Sequence, residues 1–306
     1  MKKVIITGAT SFIGVELVKG LLEQKIEVIA VIRPNSTNKS KLPNHDNLKL
    51  IELEMSEYDR LPEFVDSSDC LFHLSWDGTR GAKRNDKELQ NRNYLNSLQT
   101  LEAAKKLNVK TFISAGSQAE YGNYNKEIFE STFCVPVTEY GKAKLKFFES
   151  ARLFCSESDI FFKEPRFFSL YGPGDYENTL IMDMISKMLK NQPIDLTLGI
   201  QKWDFLYISD AIKGLIGLAT IPCEDGVYNF GTGEVRLLKD FIEETKEIIK
   251  SESVLNYGAI SYPPTGMVSI WPNVEKLKTL LNWLPQVSFE EGIMKIIASR
   301  KNNENN

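Results

Sequence analysis

Tyr140 and Lys144 stand four residues apart in Tyr140-Gly-Lys-Ala-Lys144, a spacing that places two side chains on one face of a helix. An ammonium near a phenol favours the phenolate. A tyrosine that ordinarily titrates near ~10 then becomes a proton donor or acceptor usable near neutrality. Far upstream, the apolar run Lys3–Thr7 leads straight into Gly8-Ala-Thr-Ser-Phe-Ile-Gly14. In such a turn the first glycine permits a sharp exit from a strand and the last lets the following helix pack closely. The helix N-terminus then faces a pyrophosphate. A tunable phenol combined with a dinucleotide turn points to redox chemistry. Ser11 takes the middle position, where glycine usually admits the phosphate, and its hydroxyl is a candidate phosphate contact beside Thr10, Phe12 and Ile13.

These residues need a frame. Lys3–Thr7 and Glu27–Ile32 read as short buried strands around a helix over Phe12–Gln24, a strand-helix-strand unit. Leu48–Leu53, Cys70–Leu74, Thr111–Ala115 and Ile160–Phe168 are further strand candidates, with helices over Asp86–Leu107 and Glu139–Phe154. Strands alternating with helices predict an α/β fold with a Rossmann-like, doubly wound parallel sheet, whose ligands gather beyond the strand C-termini. Gly8, Ser117 and the 168–174 segment all follow such strands. After Tyr171-Gly-Pro-Gly174 the texture changes to isolated helices over Thr179–Lys190, Asp210–Ala219 and Leu238–Lys250, separated by loops bearing proline and glycine. The organisation expected is a dinucleotide-binding domain over 1–172, a smaller C-terminal substrate-binding lobe over 173–300 with segments returning to the first domain, and a polar flexible tail over 301–306.

The 306 residues suffice for a large core. No apolar stretch approaches the ~20 residues of a membrane span, and Met1-Lys-Lys leads into the first strand without a secretory signal, so a cytoplasmic protein is expected. A net charge of −4 gives no general attraction to nucleic acid or anionic lipid. Cys70, Cys134, Cys155 and Cys223 are scattered, accompanied only by His45 and His73, and indicate neither a metal site nor a disulfide framework.

Further segments extend the pattern. Phe112-Ile-Ser-Ala-Gly-Ser-Gln-Ala-Glu-Tyr-Gly122 carries a serine just past a strand, and Asn91-Arg-Asn-Tyr-Leu-Asn-Ser-Leu-Gln-Thr-Leu-Glu-Ala-Ala104 resembles an NVxGTxxLLEAA helix. Pro165-Arg-Phe-Phe-Ser-Leu-Tyr-Gly-Pro-Gly174 resembles LRxxNxYGPG, Trp203–Asp210 resembles RDFxxVxD, and Tyr228–Gly233 resembles YNxGxG. In this order the motifs resemble the extended short-chain dehydrogenase/reductases of the NAD(P)-dependent epimerase/dehydratase type, a family of nucleotide-sugar epimerases and 4-keto-reductases. The resemblance implies that Ser117 holds a carbonyl oxygen, Tyr140 protonates it, and Lys144 lowers the tyrosine pKa while binding the nicotinamide ribose. It makes Asn93 a supporting residue near the cofactor, with Leu74 and Phe168 as neighbours of the cofactor and Glu54 beside the adenine. His73 is expected to be a packed strand-end residue. A homodimer is expected through the helices at 86–107 and 139–154, using Leu95, Leu98, Leu101, Phe147, Leu153 and Phe154.

The second strand ends in Ile32-Arg33, where an acidic residue would accept hydrogen bonds from ribose. Arginine there suits a 2′-phosphate, so NADP(H) is favoured, with NAD(H) as the other possibility. Ser117-Gln118-Ala119 replaces the Thr-Asp-Glu of the family's 4,6-dehydratases, which argues against water elimination. The arginines that grip a substrate diphosphate in many relatives are absent, since Trp203 stands at one position and residues 263–267 read Pro-Pro-Thr-Gly-Met around the other. Gln118, Ser169, Lys202 and Trp203 are therefore the candidate substrate contacts, with Arg80, Arg84 and Arg236 as possible substitutes. The activity expected is reduction of a 4-keto nucleotide sugar; the alternatives are a 4-epimerase that retains its cofactor and a non-catalytic NADP-binding protein.

Overall fold

The computed structural model describes residues 1–262 and 266–304. Lys3–Thr7 (β1) and Glu27–Ile32 (β2) form within the expected limits. Their apolar runs are buried throughout, as a strand covered by helices on both faces requires. Between them Phe12–Glu23 (α1) buries Val15, Leu17, Val18, Leu21 and Leu22. Leu48–Glu52 (β3), Cys70–His73 (β4), Lys87–Lys106 (α2), Thr111–Ser114 (β5), Gly116–Ser117 (β6), Lys126–Ile128 (β7), Glu139–Glu157 (α3) and Phe161–Phe167 (β8) follow.

The central sheet is parallel, in the order Gly226–Phe230, β8, β5, β4, β1, β2, β3, with β6 pairing onto β8. Strand order reverses between β1 and β4, where Thr7 pairs with His73. The C-terminal ends of these two strands open the crevice in which such sheets bind ligands. Gly226–Phe230 supplies the edge strand beyond β8, so residues from the second half of the chain complete the first sheet.

The later motifs act as staples. Asp204 is buried and accepts the amides of Thr232 and Gly233. Asp210 accepts the amides of Gln286 and Val287, and Asn229 accepts the Tyr121 hydroxyl at 2.7 Å. Each links segments distant in sequence and satisfies buried polar groups that would otherwise cost stability.

Some expectations change. Leu101 and Phe147 pack inside, beneath their own helices, while Leu95 and Leu153 are 50% and 61% exposed. The outward face of α2 and α3 is thus narrower than the apolar count implied. The final helix, Phe289–Glu304, continues through residues expected in a flexible tail. Pro263, Pro264 and Thr265, within the proline segment, lie outside the described residues. Among the described residues no helix is long and apolar enough to cross a membrane.

Candidate active site

The glycine turn is fixed by close approach. Gly8 has φ +70°, and a Cβ there would lie 2.8 Å from the Ser75 amide nitrogen. One at Gly14 would lie 2.3 Å from the Gly8 carbonyl oxygen. Ser11 is the N-cap of α1, its Oγ accepting the Gly14 amide at 3.1 Å. The hydroxyl therefore serves the helix first, which qualifies its expected role as a phosphate contact. The amides of Phe12 and Ile13, at the positive end of the helix, have no acceptor among the described residues. Thr10 lies against the loop that follows β2, where its Oγ1 accepts from Ser36 at 3.2 Å.

From this turn a cleft of about 300 Å³ runs to the ends of β5 and β8. Ser11, Phe12, Ile13, Leu74, Ser117, Gln118, Tyr140, Lys144 and Phe168 line it, so one cavity unites the glycine turn with the serine, tyrosine and lysine. Trp76, Arg80, Arg84 and Tyr176 complete its wall. No recognised motif covers Trp76 and Tyr176.

Burial governs the electrostatics. It pushes the Tyr140 phenol up to about 12, against the lowering effects of the Ser117 side chain and the Arg84 charge. The Lys144 ammonium is driven down to about 8 by burial, partly offset by the carboxylates of Glu120 and Glu164. Lys144 donates to the Ala115 carbonyl oxygen at 2.7 Å and sits 3.8 Å from the Trp76 ring centre. The expected lowering of the Tyr140 pKa by Lys144 is thus not the dominant effect here: burial wins, and the strongest cationic influence is Arg84.

Behind Ser117 lies a buried ion cluster. Glu120 Oε1 accepts the Ser117 amide at 2.7 Å, and Arg166 meets Glu120 at 2.8 Å and Glu164 at 3.0 Å. None of the three is more than 1% exposed. Burial and the neighbouring Glu120 raise the Glu164 pKa, which Arg166 opposes. Glu120 is thus a buried anchor for the loop that carries Ser117.

Other predicted residues lie outside the cleft. Arg33 is exposed and paired with Asp77 at 3.6 Å, and Glu54 caps the turn beginning at Met55. Asn93 is buried and clamps Asp77, accepting its amide and donating to its carbonyl at 2.8 Å. Ser169 accepts the Trp203 indole N–H, while Lys202 extends over Trp271. His73 is packed between Thr7 and Ser97, and burial followed by the Lys144 charge lowers its pKa to about 3. It is a neutral core residue, as expected. Among the described residues no group of His, Cys, Asp and Glu could hold a metal ion.

The family model for the NAD dependent epimerase/dehydratase family matches residues 4–231, a span that includes the turn, the cleft and the returning strand. The chain belongs to that family. It is an enzyme of the extended short-chain dehydrogenase/reductase type. CDP-abequose synthase of Salmonella muenchen is 28% identical over 303 residues, covering 98% of each chain. Among solved structures, UDP-N-acetylglucosamine 4-epimerase from Methanobrevibacter ruminantium M1, in complex with UDP-N-acetylmuramic acid, superposes with a TM-score of 0.89 at 24% identity and covers 99% of each chain. UDP-glucuronic acid 4-epimerase from Bacillus cereus, in complex with NAD, gives 0.84 at 23% identity, with 98% of this chain and 99% of that one covered. These two likenesses establish the fold.

Proposed function

We propose that this family member is an NADP(H)-dependent reductase of a 4-keto nucleotide sugar. The observation that carries the reading is the convergence of Ser117, Tyr140 and Lys144 with Ser11, Phe12 and Ile13 around one cleft. The residues suit a nicotinamide dinucleotide: two free amides at a helix N-terminus for the pyrophosphate, an apolar wall from Leu74 and Phe168, and a lysine at the cleft floor. When bound, the cofactor supplies hydride to the carbonyl carbon. Ser117 positions the carbonyl oxygen, Tyr140 gives it a proton from Oη, and Lys144 supplies an ammonium that binds ribose and favours the tyrosinate left behind.

Arg33 at the end of β2 supports NADP(H), because a guanidinium suits a phosphate and Ile32 cannot accept from ribose. The Arg33–Asp77 pair favours NAD(H) as the second reading, since a carboxylate accepts from a ribose hydroxyl. The relative named CDP-abequose synthase supports the nucleotide-sugar class, and the neighbouring 4-epimerases support retained-cofactor epimerisation as the second activity. A homodimer through the outward face of α2 and α3, in the cytoplasm, completes the proposal.

The test is a screen of CDP-, UDP- and dTDP-linked 4-ketosugars with NADPH, following cofactor oxidation and identifying the product. Net consumption of NADPH supports the reductase; isomerisation without consumption replaces it with the epimerase. Tyr140→Phe should bind cofactor normally yet lose about 10²–10⁴-fold in turnover, and near-normal turnover removes Tyr140 from the mechanism.

A further inference from the structure

The reading of Tyr140 as the proton donor leaves open what makes so deeply buried a phenol acidic enough to act. Its neighbours can be enumerated. Ser117 approaches from the end of β6, and Glu120 and Glu164 bring negative charge from the following turn and from β8. Lys144 lies on the same helix but is directed at the Ala115 carbonyl and Trp76. Trp76 presents its ring nearly perpendicular to that of Tyr140, at 6.3 Å. Over the ring itself, the Arg84 guanidinium carbon stands 4.7 Å from the centre of Tyr140.

One hydrogen bond of its own and several bonds to its turn hold Arg84 there. It lies in the short turn Gly81–Asn85, and its Nη1 donates to the Thr79 carbonyl at 3.1 Å. Gln90 donates from beneath to the carbonyls of Gly78 and Lys83, at 3.1 and 2.9 Å. Asn85 Oδ1 accepts the Glu139 amide, tying the same turn to the start of α3 one residue before Tyr140. Neighbouring Arg80, which would repel Arg84, is engaged by Asp175 at 3.2 Å and lies over Tyr176.

We propose that Arg84 is a positioning residue for the reaction, a fixed cation on the face of the Tyr140 ring that stabilises the phenolate formed when Tyr140 gives up its proton. A guanidinium over an aromatic face is attracted by the electron density of the ring, more strongly when both are shielded from water. That density grows as the phenol ionises, so the contact is stronger in the product of proton transfer than in the resting state. Such differential binding is what lowers a barrier. Arg84 thereby takes on part of the role assigned by resemblance to Lys144 alone. The inference rests on the reading of Tyr140 as the acid, and the test separates the two.

Fluorotyrosine installed in place of Tyr140 lowers the intrinsic phenol pKa and reports ionisation by fluorine NMR. Against this background Arg84→Met should move the titration upward by about one pH unit, a tenfold loss of acidity. Arg84→Lys should recover part of the shift. In the otherwise unmodified enzyme Arg84→Met should lower turnover by about tenfold while cofactor affinity changes little. An unmoved titration overturns the proposal. A moved titration with unchanged turnover supports the Arg84 contact but overturns the reading of Tyr140 as proton donor. Thermal unfolding and amide spectra of each variant establish that the turn held by Gln90 and Asn85 persists.

Discussion

The Trp203 indole N–H donates to Ser169 Oγ at 2.8 Å, joining two positions at which this chain departs from its family's pattern. Ser169 stands where the motif has asparagine, and Trp203 where it has arginine. The two departures answer one another: a shorter polar side chain makes an acceptor for the larger aromatic donor. Trp203 also pairs through its backbone with Arg236.

This pair predicts how substrate binding responds to change. Trp203→Phe keeps a ring but deletes the donor, costing about 0.5–1.5 kcal/mol of stability. Trp203→Ala should cost more and weaken nucleotide-sugar binding, with NADPH affinity nearly intact. Calorimetric titration of both ligands, beside thermal unfolding, checks this; unchanged sugar binding by folded Trp203→Ala places recognition elsewhere.

A second prediction concerns alkaline pH. Burial depresses the Lys144 pKa from 10.5 to about 8, so its ammonium is lost as pH rises through that value. Turnover in the reductive direction should fall above about 8, and Glu120→Gln, which removes a stabilising carboxylate, should move the fall to lower pH. The stability effect has the opposite slope. Between the folded and unfolded values the unfolded chain binds the extra proton, so this group's penalty on folding is relieved as pH increases. Lys144→Met should abolish that contribution in urea titrations across the window.

Arg166 offers a test of the buried cluster. Arg166→Met leaves Glu120 and Glu164 facing one another without their cation, and removing one partner of a buried ion group costs about 3–5 kcal/mol. Adding Glu164→Gln should return part of the loss. Denaturant unfolding of the single and double variants reads the coupling directly.

At the adenosine end, Arg33→Asp should reverse a preference for NADPH over NADH, with one charge-assisted contact worth about 1.5–3 kcal/mol. Asp77→Asn should strengthen NADPH binding by freeing Arg33 from its pair and removing a carboxylate that repels phosphate. Equal affinities of the unmodified protein for the two cofactors would remove the basis of the NADP(H) assignment.

The assembly prediction concentrates on Leu95 and Leu153, the exposed apolar residues of α2 and α3. Leu153→Lys should turn a dimer into a monomer at micromolar concentration without lowering the melting temperature of the protomer. Sedimentation velocity gives the outcome, and a monomeric unmodified protein overturns the dimer.

Strands β1 and β2 were legible to the residue because each is a continuous apolar run bounded by turns. Ser117, Tyr140 and Lys144 could be singled out as candidates because motif spacing survives without knowledge of packing, and the fold brings the three to one cleft. Gly226–Phe230 was harder to recognise as a strand of the sheet, since five residues that include a glycine and an asparagine give little periodicity, and only the fold shows Asn229 occupied by Tyr121. Trp76 beneath Lys144 and Arg84 over Tyr140 depend on loop geometry, which has no period to read. The orientation of Leu101 and Phe147 likewise follows from which helix face meets the sheet, a tertiary fact.

The edge strand Gly226–Phe230 has a consequence for synthesis. On the ribosome, β8 emerges some sixty residues before the strand that covers its open side. Until that strand arrives, the nascent sheet presents a row of unpaired backbone groups of the kind that recruits foreign strands. A fragment ending near residue 172 would retain this exposed border permanently. It should aggregate where the whole chain does not, because the segments before and after residue 172 complete one sheet and fold as a single unit.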